Sequence, residues 1–456
     1  MAKEKKRIGL VLVIICILIV LGGLAWFAAI LFEGESPSIA LDPLPELISK
    51  PTPFKVTMND PLRGLRLIRI MANQEGREIP LLETTFPGSG ILSRKSTRQS
   101  EASFTLDPAA LKLAQGRVEL TVQVWDHSMR RGGDGNLSII SHKMMVDTIP
   151  PSVHALSPLN YVNMGGTGLV VYQASPDTLE SGVMVGDLLF HGYPVDESGK
   201  KNHHVCYFGL QQSETPDTKL FLWARDRAGN EARGGFNFHI RRKRFQDERI
   251  EITDRFLGTV LPYFSSHPLP AESSDIDKFL WINRELRRKN TETFFSLRGR
   301  TSPNRLWEGV WLRQANAAKM SGFGERRQYY YKGQMVDEQT HLGVDLASLA
   351  LSPIQAANRG RVIFADQLGI YGLTVILDHG QGLASVYAHL SRIEVSLDQE
   401  VKRGEVIGIS GQTGLAGGDH LHFSVMVGGV FVSPLEWWDE HWIQDNITRK
   451  LALLNP

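Results

Sequence analysis

Cysteine is nearly missing from this chain: 456 residues contain two, Cys16 and Cys206. Cys16 sits in an apolar run and Cys206 between Val205 and Tyr207. The two are not expected to meet, which excludes a disulfide-stapled scaffold, and Cys206 reads as a small buried hydrophobe. A surplus of charge is missing too. Fifty Lys and Arg stand against 49 Asp and Glu, a formal net charge of +1. That leaves no basic excess for nucleic acid and no acidic tail. The helix-borne HExxH signature of many zinc hydrolases is also absent.

Charge vanishes altogether from Ile8 to Phe32, a run rich in Leu, Ile, Val, Ala and Phe. Roughly 20 such residues in a helix span a bilayer core. Lys3, Lys5, Lys6 and Arg7 precede the run, and Glu33 and Glu35 follow it. The positive-inside rule therefore puts residues 1–7 in the cytoplasm and everything after Phe32 outside. A cleaved signal peptide has a shorter apolar region, about 7–15 residues, closed by a small-x-small site. Here the candidate around Ala25–Ala28 contains Trp26 and Phe27. Residues 8–32 are expected to be an uncleaved, single-pass transmembrane anchor in the cytoplasmic membrane.

Residues 33–53 hold five prolines and read as a linker. Two stretches beyond it, Val118–Asp147 and Thr218–Ile240, repeat one pattern: alternating strand, Asp, Gly/Asn-rich turn, alternating strand. In the first, Leu120, Val122 and Val124 share one face, and Thr121, Gln123 and Trp125 the other. That is the period of a half-buried antiparallel sheet. The junction DTIPP (Asp147–Pro151) and the WARDRAGNEA pattern resemble those of bacterial immunoglobulin-like domains. The resemblance implies two β-sandwiches, 54–150 and 151–242, read as spacers in preference to wall-binding modules. His203 and His204, in GKKNHH, are expected in a solvated polar loop. Residues 243–320 read as a small helical segment. Ser274 caps a helix with Phe279, Ile282 and Leu286 on one face and Arg287, Arg288 and Lys289 in its last turn. Residues 321–436 return to short strands and glycine turns, and 437–456, with His441, form a helical tail. The fold class is multidomain and mainly β.

Chemistry concentrates in two patterns, His341-Leu-Gly-Val-Asp345 and His420-Leu-His422. In HLHFSV, Leu421, Phe423 and Val425 alternate with His420, His422 and Ser424. On a strand, residues two apart share a face, so two imidazoles project together. His341 and Asp345 add a nitrogen and a carboxylate oxygen, and Gly343 is expected to let the backbone turn so that both converge. Two His and one Asp leave a fourth tetrahedral position for water, the open arrangement of a catalytic zinc site. A histidine fits as proton acceptor near neutral pH. His389 in SVYAHLS is the first candidate, joined by His420 if His422 is the ligand of that pair.

The ordered set HLGVD, AANRG, GLTVILDHG, YAHL, VKRGEVIGISGQTG and HLHF, approached by FGERR (Phe323–Arg327), resembles the lysostaphin-type (LytM-like) zinc metalloendopeptidases. The resemblance covers about a quarter of the chain. It implies an antiparallel β domain with an open groove, the duplicated hybrid motif. It also implies one Zn²⁺ per chain on His341, Asp345 and His422, and His389 and His420 as the catalytic histidines. Peptidoglycan peptides are the implied substrate and a bacterial membrane the implied location. His379, which that family shares without using it as a ligand, reads as structural. One departure is Ala416-Gly417-Gly418-Asp419 before HLHF, in which Asp419 reads as a turn residue rather than a support for His420. Tyr329, Tyr330 and Tyr331 find no assigned role.

Three functions fit: hydrolysis of wall peptides, non-hydrolytic regulation of other wall hydrolases, and proteolysis of envelope proteins. Loss of ligands would mark the second, and every metal and base position is present. Partners are thus the wall peptides and the membrane, with protein regulators left open and nucleic acid excluded.

Overall fold

The computed structural model describes residues 2–88, 96–195, 202–269 and 273–454. Ala2–Leu31 forms one helix. Its Arg7–Leu31 portion is long and apolar enough to cross a membrane, and no protein covers it. The rest is mainly β and falls into two compact units. One is the chain up to Ile149 together with Arg227–Asn230; the other is Pro150–Asp226 and everything from Glu231 onward.

In the first unit a five-stranded sheet and a three-stranded sheet share one core. Strand Gly116–Asp126 is central in the larger sheet, and Leu120, Val122 and Val124 are fully buried along one face. The smaller sheet corrects the expected linker. Ser38–Asp42 pairs with Thr52–Asn59, and Leu47–Ile48 joins the larger sheet beside Leu137–Val146. Leu41 and Ile48 reach the core. Pro37 and Pro43 flank Ser38–Asp42, and Pro45 and Pro51 lie outside Leu47–Ile48, where a missing N–H costs no ladder bond; Pro53 is the second residue of Thr52–Asn59, beyond its pairing with Ser38–Asp42.

In the second unit the β region from Val153 to Arg241 and the C-terminal β domain are built on one continuous core. His203 and His204 open strand His203–Gly209 rather than lying in a loop, and His204 stacks on Tyr172. Cys206 on that strand is fully buried. Two buried polar groups fasten the C-terminal tail to the Val153–Arg241 region. Glu436 accepts hydrogen bonds from Asn163 Nδ2 at 3.0 Å and the Thr167 amide at 2.8 Å. Lys450 Nζ donates to Asn160 Oδ1 at 2.5 Å and Leu169 O at 3.1 Å.

Burial pushes the Glu436 carboxyl up to about 7, against the downward pull of the Asn163 and Thr167 donors. A carboxyl whose folded pKa is raised stabilises the fold below its unfolded value, and that contribution is lost as pH rises through the folded one. The window runs from about 4.5 to about 7 and is worth about 3 kcal/mol by linkage. The parent is therefore expected to lose thermal stability between pH 5 and 8 more steeply than Glu436→Gln, whose side chain never ionises. Thermal unfolding at several pH values checks this, and parallel curves would refute it.

The expected helical segment is only partly helical. It contributes strand Asp247–Ile252, which pairs in parallel with Arg326–Tyr331, itself paired to Gln334–Thr340. Helices Asp254–Val260, Asp275–Trp281 and Arg287–Ser296 follow, the last two joined by a π-helical turn, Ile282–Leu286. Ser274 caps as expected, accepting from the Asp277 amide. Arg287–Lys289 therefore lie mid-helix, because the helix continues two turns past them. In the C-terminal β domain, strand Leu421–Val427 runs between Val344–Ala347 and Leu383–Leu390 in an antiparallel sheet.

Candidate metal centre

The register of three strands builds the site. Asp345 lies directly opposite His422, and His422 directly opposite Ala388. Directly opposed residues on one face have Cβ atoms about 5 Å apart, so Asp345 and His422 meet without any special device. His341, four residues upstream on the approach to the same strand, folds back onto both. Its Nε2 lies 3.0 Å from Asp345 Oδ1 and 3.0 Å from His422 Nδ1, and His422 Nδ1 lies 2.9 Å from Asp345 Oδ1.

Gly343 is required for space rather than for a turn. Its backbone stays out of the left-handed region. A Cβ there would stand 2.5 Å from both His422 Nε2 and Ser424 Oγ.

Hydrogen bonds fix which ring nitrogens carry protons. A carbonyl only accepts, so His341 Nδ1–H donates to Gly322 O at 2.8 Å, and Nε2 turns a lone pair inward. Ser424 Oγ donates to Leu342 O and therefore accepts from His422 Nε2–H at 2.9 Å, leaving the His422 Nδ1 lone pair inward. Three electron-pair donors, one of them a carboxylate, thus face one another within about 3 Å. Such a set repels itself unless a cation lies among them, so the donors fit a metal ion.

His389 and His420 stand at the edge of this cluster, their rings 4.9 Å apart. His420 Nδ1–H donates to Gly418 O, and its Nε2 lies 3.6 Å from Asp345 Oδ1. His389 Nδ1–H donates to Thr413 O. Strand parity alone would place His389 with Ser385 and Tyr387 on the opposite face. A β-bulge prevents this. Between Val375↔Tyr387 and Leu373↔Leu390 the strand Leu383–Leu390 has one extra residue. His389 there takes φ of 61°, a rare conformation for a side chain of its size. The bulge turns the imidazole toward His422, 5.8 Å between rings.

Burial, helped by His420 and His422, holds His389 well below the usual histidine range. Burial also pulls His420 down, but Asp345 outweighs it and raises the ring. A cation on Asp345 would weaken that pull. Burial would push the Asp345 carboxyl up, yet the surrounding histidines hold it well below its ordinary value.

Beyond the expected residues, Arg327 Nη2 donates to Asp345 Oδ2 at 2.8 Å, and its Nε to Glu248 at 3.0 Å. This leaves Asp345 Oδ1 as the oxygen that faces the imidazoles. The FGERR motif contains Arg327, but its role depends on a strand pairing that local sequence does not reveal. A cavity of about 420 Å³ opens onto the cluster. Asp345, His389, His420 and His422 line it together with Glu248, Phe256, Phe279 and Arg287 from the 243–320 segment. Of the three tyrosines only Tyr329 lines the cavity; Tyr330 lies under Arg249, and Tyr331 donates to Asp254.

Asp419 staples its loop, accepting from Ser410 Oγ and the Leu351 amide. His379 is fully buried against Trp311, bonded to Arg359 O and Ser385, and lowered to about 4 by burial. It takes no part in the cluster.

A model of Peptidase family M23 matches residues 339–434. The DD-carboxypeptidase/endopeptidase Mpg of Neisseria meningitidis is 37% identical over 95 residues, 21% of this chain and 22% of its own length. The peptidoglycan DD-endopeptidase ShyB of Vibrio cholerae is 35% identical over 107 residues, 24% of each chain. The murein hydrolase activator EnvC of Escherichia coli is 33% identical over 107 residues, 24% of this chain and 26% of its own length. The chain thus spans about a quarter of the length of these relatives.

Proposed function

Starting from a C-terminal peptidase M23 domain, we propose that this protein is a zinc-dependent endopeptidase that hydrolyses peptide bonds of peptidoglycan. In this reading it is held at the cytoplasmic membrane by Arg7–Leu31, with its N-terminus inside. The observation that carries the chemistry is the convergence of His341 Nε2, Asp345 Oδ1 and His422 Nδ1 on one point at the base of a cleft. Zn²⁺ suits two imidazoles and one carboxylate, and when bound it polarises a carbonyl and makes water acidic enough to attack at neutral pH.

The remaining chemistry belongs to side chains. His389 is kept neutral by burial and has its Nδ1–H committed to Thr413 O, so its other nitrogen is free to accept a proton. His420 opens onto the same space; in its protonated form its Nε2–H would be given to the leaving amine, and the proton taken by His389 would restore the pair's starting charge. Arg327 holds Asp345 in a single orientation, and the apolar lining from Phe256 and Phe279 lowers the local polarity and so strengthens charge interactions.

The relationship to an activator raises a non-hydrolytic alternative. The complete set of three donors and two histidines supports hydrolysis instead, since an activator has no need of them. The deciding experiment incubates the full chain, purified in mild detergent and loaded with zinc, with purified peptidoglycan, beside His420→Ala. The expected result is new peptide ends from the parent and none from the variant by mass spectrometry. Intact wall with zinc bound would overturn the reading, and cleavage confined to envelope proteins would redirect it.

A further inference from the structure

The run Arg287-Arg288-Lys289 is sent in three directions. Arg288 pairs with Glu285 and Glu292, and Lys289 lies over the Trp281 ring at 5.6 Å. Arg287 alone turns into the catalytic cavity. There it meets only neutral oxygens: its Nε donates to Asn283 O at 3.1 Å and its Nη2 to Asn283 Oδ1 at 2.7 Å. Among the described residues no carboxylate lies within ion-pairing distance of it, whereas Arg327, the other guanidinium of the cavity, is paired to both Asp345 and Glu248. The arrangement is built. Asn283 is fully buried, sits in the π-helical turn, and is held by Asp337 Oδ2 at 2.8 Å. Arg284 fastens Asp337 in turn. π-turns recur at functional sites because they rephase a helix; here the turn sets Asn283 where it can orient the guanidinium. Of five N–H donors, two are used and three remain.

We propose that Arg287 is a specificity-determining residue that grips a carboxylate of the peptide substrate beside the bond to be cut. The inference rests on the endopeptidase reading above. A preoriented guanidinium with spare donors in a cavity lined by Ile250, Phe256, Phe279 and Leu415 is matched by a planar anion that pairs with it two atoms to two. The ligand class is a peptide with a free carboxylate on the leaving side; the amide of the same peptide cannot make the ion pair.

The test uses the zinc-loaded full chain carrying His389→Ala, so that the probe is not consumed. Calorimetry compares an N-acyl-D-alanyl-D-alanine dipeptide acid with its C-terminal amide. The acid is expected to bind roughly 10- to 100-fold more tightly, the range of a charge-assisted hydrogen-bonded pair. Adding Arg287→Ala should collapse that ratio to about 1–3, while Arg287→Lys, a point charge, should retain part of it. Arg287→Gln, similar in shape and uncharged, repeats the test if the alanine variant folds poorly. No preference for the acid, or a preference that both neutral variants leave intact, overturns the proposal. Cleavage of peptidoglycan by the parent separates the two readings. Preference without cleavage keeps Arg287's role and sinks the endopeptidase; cleavage without preference does the reverse; neither sinks both.

Discussion

Replacing Asp345 with alanine is expected to strip the metal and with it all measurable wall hydrolysis. The site has one anionic donor, and that oxygen faces both imidazoles at 2.9–3.0 Å. Without it a dication would rest on two neutral nitrogens beside Arg327, whose charge, then balanced by Glu248 alone, opposes it. Losing one of three ligands, and the only anionic one, should lower zinc occupancy from about one per chain to below about a tenth, and activity by at least roughly 10³-fold, since the metal supplies most of the activation. Metal analysis after gel filtration, alongside fragment release, is the measurement. Retained zinc with lost activity would assign Asp345 another role.

His389→Ala should behave differently. The ring donates to Thr413 O and faces His420 and His422 but contributes no donor to the converging three. Zinc should therefore stay bound while turnover falls by roughly 10²–10⁴-fold, the usual worth of a positioned proton acceptor. His389→Gly is the matched control, because φ of 61° suits glycine better than alanine. Burial, which lowers His389, and a nearby metal cation act in the same direction, favouring the neutral ring. Since the neutral form accepts the proton, the parent's acid limb of kcat/KM should lie below the ordinary histidine value, and the variant should lack it. A limb at or above about 6.5, the unperturbed value, would assign the proton to another group.

These two outcomes also mark what was legible in the sequence. HLHF declared its geometry by alternation: His422 and Ser424 do share a face, joined by a hydrogen bond. HLGVD announced its donors, though Gly343 serves for clearance rather than for a turn. His389 was a different matter. Its parity pointed it away from the cluster, and only a bulge without glycine or proline to signal it brings the ring round. Chemistry and resemblance found this histidine; periodicity did not. The cavity wall was less legible still. Glu248, Phe256, Phe279 and Arg287 reach the site because Asp247–Ile252 pairs in parallel with Arg326–Tyr331, about 80 residues on, and such pairing leaves no local mark. The proline-rich stretch misled for a related reason: two strands of five and two residues are too short to show a period.

That parallel pairing has a practical side. A recombinant piece beginning at residue 321 looks like a tidy enzyme in the sequence, yet it would leave Arg326–Tyr331 with a bare edge carrying three consecutive tyrosines. Such edges recruit other strands. The clipped protein should therefore be a poor soluble standard, prone to self-association, and a low rate measured on it would report on its colloidal state rather than on its catalytic competence.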